Sequence, residues 1–283
     1  MSSSRVEEKA VVNWDEPIAS GSTGSIFKAF WNNQIFAVKS IMLGKWDNFV
    51  NEQAMLRKLN ALNAPNTIKY FEDIPVTRSF LHPYILTMEW APSLFDTLTD
   101  QDELDWTDRY KIMTGMANGI VFYHANGIAH RDIKSLNVLL GDSLQAKFCD
   151  FDLSRELAPG ALCYAGGFSE PWAPPESMTT REGVGLPGDI YSYATTCWKM
   201  AVWGGVTPFT QLKGVETTPL DVRTQVLAGE RNPIPKSCPN KIAKLITWGW
   251  SANPADRPTA QEFLEELSGG LDDMSEKLKA IKI

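Results

Sequence analysis

The chain is poor in the residues that most often build metal and redox centres, with three histidines and four cysteines among 283 residues. Cys149, Cys163, Cys197 and Cys238 form no C-x-x-C pair, and no histidine stands at metal-ligand spacing from them. A structural zinc site is thereby disfavoured, and buried free thiols are expected. No apolar run is long enough to span a bilayer. The opening Met-Ser-Ser-Ser-Arg lacks an apolar stretch and lacks glycine at position 2, so neither a secretory signal nor myristoylation is expected. An excess of positive charge is missing too: the net charge is −7, which argues against a general nucleic-acid binder. Internal repeats and low-complexity blocks are absent. These absences predict a cytoplasmic or nuclear setting, with no membrane span and no nucleic-acid partner.

What is present is core-forming material. The chain is 43% hydrophobic and 11% aromatic, ample for one large globular unit or two packed lobes. Apolar runs at Val11–Ser20, Ser25–Trp31 and Gln34–Ile41, separated by Gly21–Gly24 and Asn32-Asn33, read as a β-meander. Trp46–Leu59 carries Phe49, Ala54, Leu56 and Leu59 among charges and reads as an amphipathic helix. Thr67–Ile74 and Tyr84–Glu89 read as two more strands. After Trp90 the pattern turns helical. Ile112, Met116, Ile120 and Tyr123 share helical spacing in Trp106–Asn126, with Asp105 or Thr107 as N-cap and Gly127 just past the end. Ile190–Trp203 is apolar nearly all round, so a buried helix stopped at Gly204-Gly205 is predicted. Thr259-Ala-Gln-Glu262 is a capping box opening a helix that carries Phe263, Leu264 and Leu267.

The most informative stretch is His130-Arg131-Asp132-Ile133-Lys134-Ser135-Leu136-Asn137. A carboxylate, a lysine and a carboxamide lie close together in a loop before the strand-like Val138-Leu139-Leu140. The carboxylate can accept a hydroxyl proton, the lysine can neutralise phosphate charge and the amide can hold a metal. This order resembles the H-R-D-x-x-x-x-N catalytic loop of eukaryotic-type protein kinases. Asp150-Phe151-Asp152 is similar to the family's D-F-G, with Asp152 in place of glycine. Phe36-Ala37-Val38-Lys39 is similar to the V-A-I-K strand. A lone strand lysine is usually a solvent-facing charge, but Lys39 follows apolar residues and precedes Glu52 on the next helix.

The resemblance implies an α+β, bilobal protein-kinase fold: a small antiparallel β-sheet lobe with one main helix, and a larger, mostly helical lobe. It implies a kinase domain over about residues 12–268, with the small lobe at about 12–90 and the large lobe at about 91–268. A tail, 1–11, precedes it and a helical tail, 269–283, follows. It implies ATP and Mg²⁺ as cofactors, with Mn²⁺ an alternative. Asp132 would be the base, with Lys134 and Asn137 as its catalytic companions. Asn137 and Asp150 would hold the metal. Lys39, oriented by Glu52, would hold phosphates. Ile18, Ala19, Gly21, Gly24 and Ile26 would form the Gly-rich loop over the nucleotide, with Ala19 replacing the first glycine. Ala37, Met88, Glu89, Ala91 and Leu139 would surround adenine.

Three further matches are structural. Trp172-Ala173-Pro174-Pro175-Glu176 resembles the A-P-E end of the activation segment, Arg257 the buried partner of its glutamate, and Asp189 the anchor of the catalytic loop. Lys134 resembles the Ser/Thr pattern, and Ser135-Leu136-Asn137-Val138-Leu139-Leu140, Ser93-Leu94-Phe95-Asp96 and Ser169 resemble the tyrosine-kinase-like group of Ser/Thr kinases, with Ser169 facing Asp132. The implied activity is transfer of the γ-phosphate of ATP to a protein Ser/Thr hydroxyl. A pseudokinase or nucleotide-binding scaffold, and a tyrosine or dual-specificity kinase, are the alternatives. Tyr164 and Ser154 are the regulatory phosphate candidates on a segment that Gly166-Gly167 would make mobile. Leu271, Met274, Leu278 and Ile281 share helical spacing, which suggests a packed tail helix or one for docking or self-association.

Overall fold

The computed structural model describes residues 9–78, 80–100, 102–164, 169–179, 183–204, 206–209 and 218–269. They form two compact units: residues 9–63 with Ile68–Ala91, and Ala64–Thr67 with the chain from Pro92 onward. The tail helix expected over 271–283, Gly166-Gly167 and Gly205 lie outside the described residues.

The first unit contains β1 (Val11–Val12), β2 (Ala19–Ser20), β3 (Gly24–Trp31), β4 (Gln34–Ile41), α1 (Trp46–Ala61), β5 (Tyr70–Phe71) and β6 (Tyr84–Glu89). The sheet runs β1-β3-β4-β6-β5, with β2 also paired to β3, all antiparallel. Asn32 and Asn33, with φ of 49° and 60°, make the β3–β4 hairpin turn, a left-handed pair that asparagine tolerates. Ala29, Phe36, Val38, Ile74 and Ile85 form a buried core on which Trp31 and Phe71 pack.

Two expected strands are shorter than their apolar runs. Val11–Ser20 is interrupted after Val12, where the Asn13 side chain accepts the Asp15 N–H (3.4 Å) and donates to Glu16 (3.1 Å). Pro17 then has no N–H for a ladder. Of Thr67–Ile74 only Tyr70–Phe71 is strand, because residues 64–67 belong to the second unit. There Asn66 O accepts the Phe148 N–H (2.8 Å), and Thr67 Oγ1 meets the Tyr123 hydroxyl (2.7 Å). On α1 the buried stripe is Phe49, Glu52, Met55, Leu56 and Leu59, while Ala54 is exposed. Phe49, Leu56 and Leu59 are thus buried as expected, Ala54 alone is not, and the same stripe carries Glu52 on the inward face.

The second unit contains α2 (Leu94–Asp100), α3 (Trp106–Ala125), β7 (Ile128–Ala129), β8 (Val138–Leu140), β9 (Ala146–Phe148), β10 (Arg155–Glu156), α4 (Pro175–Thr179), α5 (Pro187–Val202), α6 (Pro219–Leu227), α7 (Asn240–Gly249) and α8 (260–269). Two short ribbons, β8–β9 and β7–β10, frame the loop that carries Asp132. Asp105 caps α3 by accepting the Asp108 N–H at 2.9 Å, and Gly127 (φ 68°) follows its end. Thr259 and Glu262 exchange side chain-to-backbone bonds, as a capping box requires. Helix α5 is buried from Gly188 to Ala201. Lys199 Nζ closes it on Gly204 O (3.1 Å) and Val206 O (2.6 Å), and burial pushes that ammonium down to about 8. All four cysteines are free thiols. Cys197 and Cys238 are buried as expected, while Cys149 and Cys163 are partly exposed because both lie in loop segments.

Candidate active site

In the first unit, strand register decides which residues share a face. Ile26 pairs with Lys39, Lys39 with Leu86 and Ala37 with Met88, so Ile26, Ala37, Lys39 and Met88 all present one side of the sheet. Ala19 joins them by pairing with Ile26. Ile18 is exposed, and its N–H donates to Ile26 O (2.8 Å). Lys39 Nζ donates to Glu52 Oε2 at 2.6 Å, both side chains being almost wholly buried. This ion pair fastens α1 to β4; such a pair is costly to break by removing one partner. Met88 and Ala91 are buried and Glu89 is half-buried, its N–H donating to Lys69 O (3.0 Å).

The two glycines of the turn have different reasons to be glycine. A Cβ on Gly24 would lie 2.2 Å from the Ser40 carbonyl oxygen, so this residue is dictated by the approach of β4. A Cβ on Gly21 would meet nothing within 4 Å. Both had been expected to serve a ligand; the fold itself already accounts for Gly24.

In the second unit the loop 130–137 is held from several sides. Asp189, near the start of α5, accepts the backbone N–H of His130 (Oδ2, 2.8 Å) and of Arg131 (Oδ1, 2.8 Å). Its Oδ2 also lies 3.1 Å from His124 Nε2. Burial acts to raise the Asp189 carboxyl, but the hydrogen bond and charge of His124, with His130 and the Arg131 N–H, outweigh it and hold the group below its usual range. His130 is wholly buried, and burial pushes its imidazole below the ordinary value. Its ring is therefore neutral near pH 7. Nε2–H faces Cys149 O (3.2 Å), while Nδ1 accepts the Asp132 N–H (3.4 Å).

Three donors converge on the buried Asp132 carboxylate. Ser169 Oγ donates to Oδ1 (2.8 Å); Lys134 Nζ (2.6 Å) and Asn137 Nδ2 (2.7 Å) donate to Oδ2. Lys134 also donates to Ser169 Oγ (2.8 Å), closing a ring. Asn137 uses its second amide hydrogen on Asp132 O (2.9 Å), which leaves its Oδ1 without a partner among the described residues. Cys149 N–H donates to Asn137 O (3.0 Å), so Asp150 emerges beside Asn137. Leu139, half-buried, follows on β8, where it pairs with Lys147.

Asp150 has φ of 64°, a conformation that costs most residues energy and that clusters at functional positions. Asp152 has no left-handed φ. The place where the resembling motif has glycine therefore needs none of glycine's conformational freedom here: the unusual backbone lies two residues earlier. Phe151 is fully buried against His130 (ring centroids 4.7 Å) and Tyr123 (5.7 Å).

Arg131 (φ 71°) donates to Leu153 O (2.9 Å) and Tyr164 O (2.6 Å), tying the following segment to the loop. Ser154 is fully buried and donates to His130 O (3.1 Å), so it is a strut and no longer an accessible phosphate acceptor. Tyr164 is exposed. Farther along, Arg257 holds Glu176 through two bonds of 2.7 Å each. His124, Ser154, Asn66 and Thr67 had not been assigned these structural roles. The proximity of an imidazole to an aspartate from another helix leaves no local pattern in the chain.

A family model described as protein kinase domain matches residues 13–267. A probable serine/threonine-protein kinase of Dictyostelium discoideum is 28% identical over 260 residues, covering 89% of this chain and 27% of the relative. The probable serine/threonine-protein kinase drkD of the same organism is 28% identical, covering 97% of this chain and 22% of its own length. The dual specificity protein kinase pyk3, also from Dictyostelium discoideum, is 26% identical and covers 93% and 19%. The chain thus spans roughly a quarter or less of these relatives. With the loop geometry, the Lys39–Glu52 pair and a family match over nearly all of its length, the chain belongs to the protein kinase domain family.

Proposed function

We propose that the chain transfers the γ-phosphate of ATP to a serine or threonine hydroxyl of a protein. The observation that carries this reading is the ring of Asp132, Lys134, Asn137 and Ser169. A carboxylate has about four acceptor positions. Three donors fix its orientation, and the remaining one can take the proton of an incoming hydroxyl. Lys134 sits where it can offset charge on the transferred group. The Lys134–Ser169 contact favours the Ser/Thr reading and the tyrosine-kinase-like group. The relative named as dual specificity supports a second reading, in which tyrosine is also accepted.

Protein kinases use ATP with a divalent metal. The donor set here fits such an ion. Asn137 offers a carbonyl oxygen with no partner among the described residues, and Asp150 follows Cys149, which is bonded to Asn137. No group of three or more His, Cys, Asp or Glu residues that could hold a metal is present among the described residues. An oxygen pair suits a hard ion that fills its other positions with phosphate oxygens and water, as Mg²⁺ does; Mn²⁺ would use the same oxygens. When bound, the ion would neutralise phosphate charge. Lys39, held by Glu52, is assigned to the α and β phosphates, and Gly21 to close backbone approach. Ile18, Ala19, Ile26, Ala37, Met88, Glu89, Ala91 and Leu139 are assigned to the base and loop contacts. Glu89 contributes its carbonyl, since its N–H is engaged.

The test is incubation of the purified protein with labelled ATP, Mg²⁺ and a generic protein substrate, followed by identification of the labelled residue. Phosphoserine or phosphothreonine is expected, and phosphotyrosine as well would favour the second reading. Nucleotide binding without turnover would make the chain a scaffold. Asp132→Asn should stop turnover while leaving nucleotide affinity near normal, whereas Asp150→Asn should weaken metal-dependent nucleotide binding.

A further inference from the structure

A cavity of about 130 Å³ lies within the first unit, walled by α1, β5 and the segment that follows β5. Its size suits one side-chain head group. Gln53 and Arg57 enter from α1, and Tyr70, Glu72 and Arg78 from β5 and beyond it, with apolar surface from Ile74. The polar groups are unevenly satisfied. Arg57 grips Glu72 through Nε–Oε1 (2.6 Å) and Nη2–Oε2 (2.9 Å), but both side chains are about half exposed. Such a solvent-exposed pair contributes little to stability and opens easily. Arg78 makes no side-chain hydrogen bond or ion pair among the described residues. The Tyr70 hydroxyl accepts from Gln53 Nε2 (2.9 Å), and its own proton has no acceptor among the described residues. Burial raises the Tyr70 phenol, with Glu72 acting in the same direction and Gln53, Arg57 and Arg78 against it; these groups all lie near its oxygen.

Two guanidiniums and one free phenolic proton face one internal carboxylate. The surplus is of donors and of positive charge. We propose that this cavity is a second binding site, taking a compact anionic side chain, phosphorylated or acidic, from a protein segment. The anion would displace Glu72 from Arg57 while Arg78 and the Tyr70 hydroxyl close on it. The wall it would touch is the helix that presents Glu52 to Lys39.

The experiment is an NMR titration of the full chain with phenyl phosphate, phenylacetate and, as neutral control, benzyl alcohol, read at the amides of Gln53, Tyr70 and Arg78. Either anion should give saturable shifts with a dissociation constant of about 1–10 mM, and the alcohol none. Tighter phosphate binding identifies a phosphorylated side chain as the source; tighter carboxylate binding identifies an acidic one. Arg78→Ala should weaken binding about tenfold, and Glu72→Gln, which removes the competing carboxylate, should tighten it about threefold or more. The site is refuted if neither anion saturates by about 20 mM, or if both variants bind like the parent chain. Phosphotransfer is not the readout, so the outcome is independent of the proposed activity.

Discussion

The glycine turn at residues 20–25 and the loop at 130–137 are both assigned to the same reaction, yet they are built in opposite ways. In the turn, Ser20, Gly21 and Ser22 are exposed. The turn is bridged by Gly21 N–H to Gly24 O (2.9 Å) and by the Ser20 and Ser25 hydroxyls (2.9 Å). In the loop, His130, Arg131 and Asp132 are buried, and Asp189, Asn137, Lys134, Ser169 and Cys149 all constrain them. A region held mainly by itself can change shape around a ligand. A region over-determined by its surroundings can keep costly backbone states such as Arg131 and Asp150 at positive φ. Substitutions should therefore act mainly on ligand affinity in the turn, and on both fold and chemistry in the loop.

The largest effect is expected from Asp189→Ala. It strands two buried N–H groups and removes the partner of His124, and should cost about 3–5 kcal/mol in urea unfolding, with turnover lost as well. The acid limb gives a second measure. The folded-state carboxyl is held below its unfolded value, so its contribution is complete above the ordinary carboxylate range and is lost as pH falls through the depressed value. Asp189→Asn should remove that share of the acid dependence. An acid limb unchanged by this substitution would show that the loop is held by something other than this carboxylate.

Gly24→Ala tests whether the turn has one rigid point. The added methyl would meet Ser40 O and force β3 from β4, at a cost of about 1–3 kcal/mol. Gly21→Ala meets open space, so the denaturation midpoint should hold or rise slightly. ATP affinity, measured by calorimetry, should fall about tenfold, or 1.4 kcal/mol. Equal stability losses in the two variants would break the contrast between them. The smallest effect belongs to Asp152→Gly. With no left-handed φ to relieve, glycine adds backbone freedom and removes a buried side chain, lowering stability by at least about 0.5–1 kcal/mol. Phosphotransfer should change by less than about tenfold. A larger gain in rate would mean that the Asp152 side chain itself restrains the site.

Much of the large loop could be read along the chain, because its chemistry needs particular groups at short spacing. Asp132, Lys134 and Asn137 lie within one loop, so their joint appearance is itself a pattern. Lys39 and Glu52 needed the hairpin and the helix phase as well; that phase was legible from Phe49, Leu56 and Leu59, with Ala54 alone misplaced. Each helical residue turns about 100°, so an exposed alanine and a buried methionine at neighbouring positions are easily exchanged. Strand limits were less legible. Asn13 and Pro17 end one through side-chain and missing N–H chemistry, while residues 64–67 leave another to join Tyr123 and Phe148.

By itself the sequence determined the local devices: the Asn32-Asn33 turn, a cap at Asp105 or Thr107, the Thr259–Glu262 box and the order of groups around Asp132. Each depends on interactions within a few residues, where spacing alone sets geometry. Only the tertiary structure decided that Gly24 answers to Ser40, that the strained backbone belongs to Asp150 and not Asp152, and that Ser154 is a buried strut. It also decided that Gln53, Arg57, Tyr70 and Arg78 face one cavity. Those outcomes depend on burial and on contacts between distant segments, such as Asp189 with His130 and Ser169 with Asp132, whose partners no local period or spacing specifies.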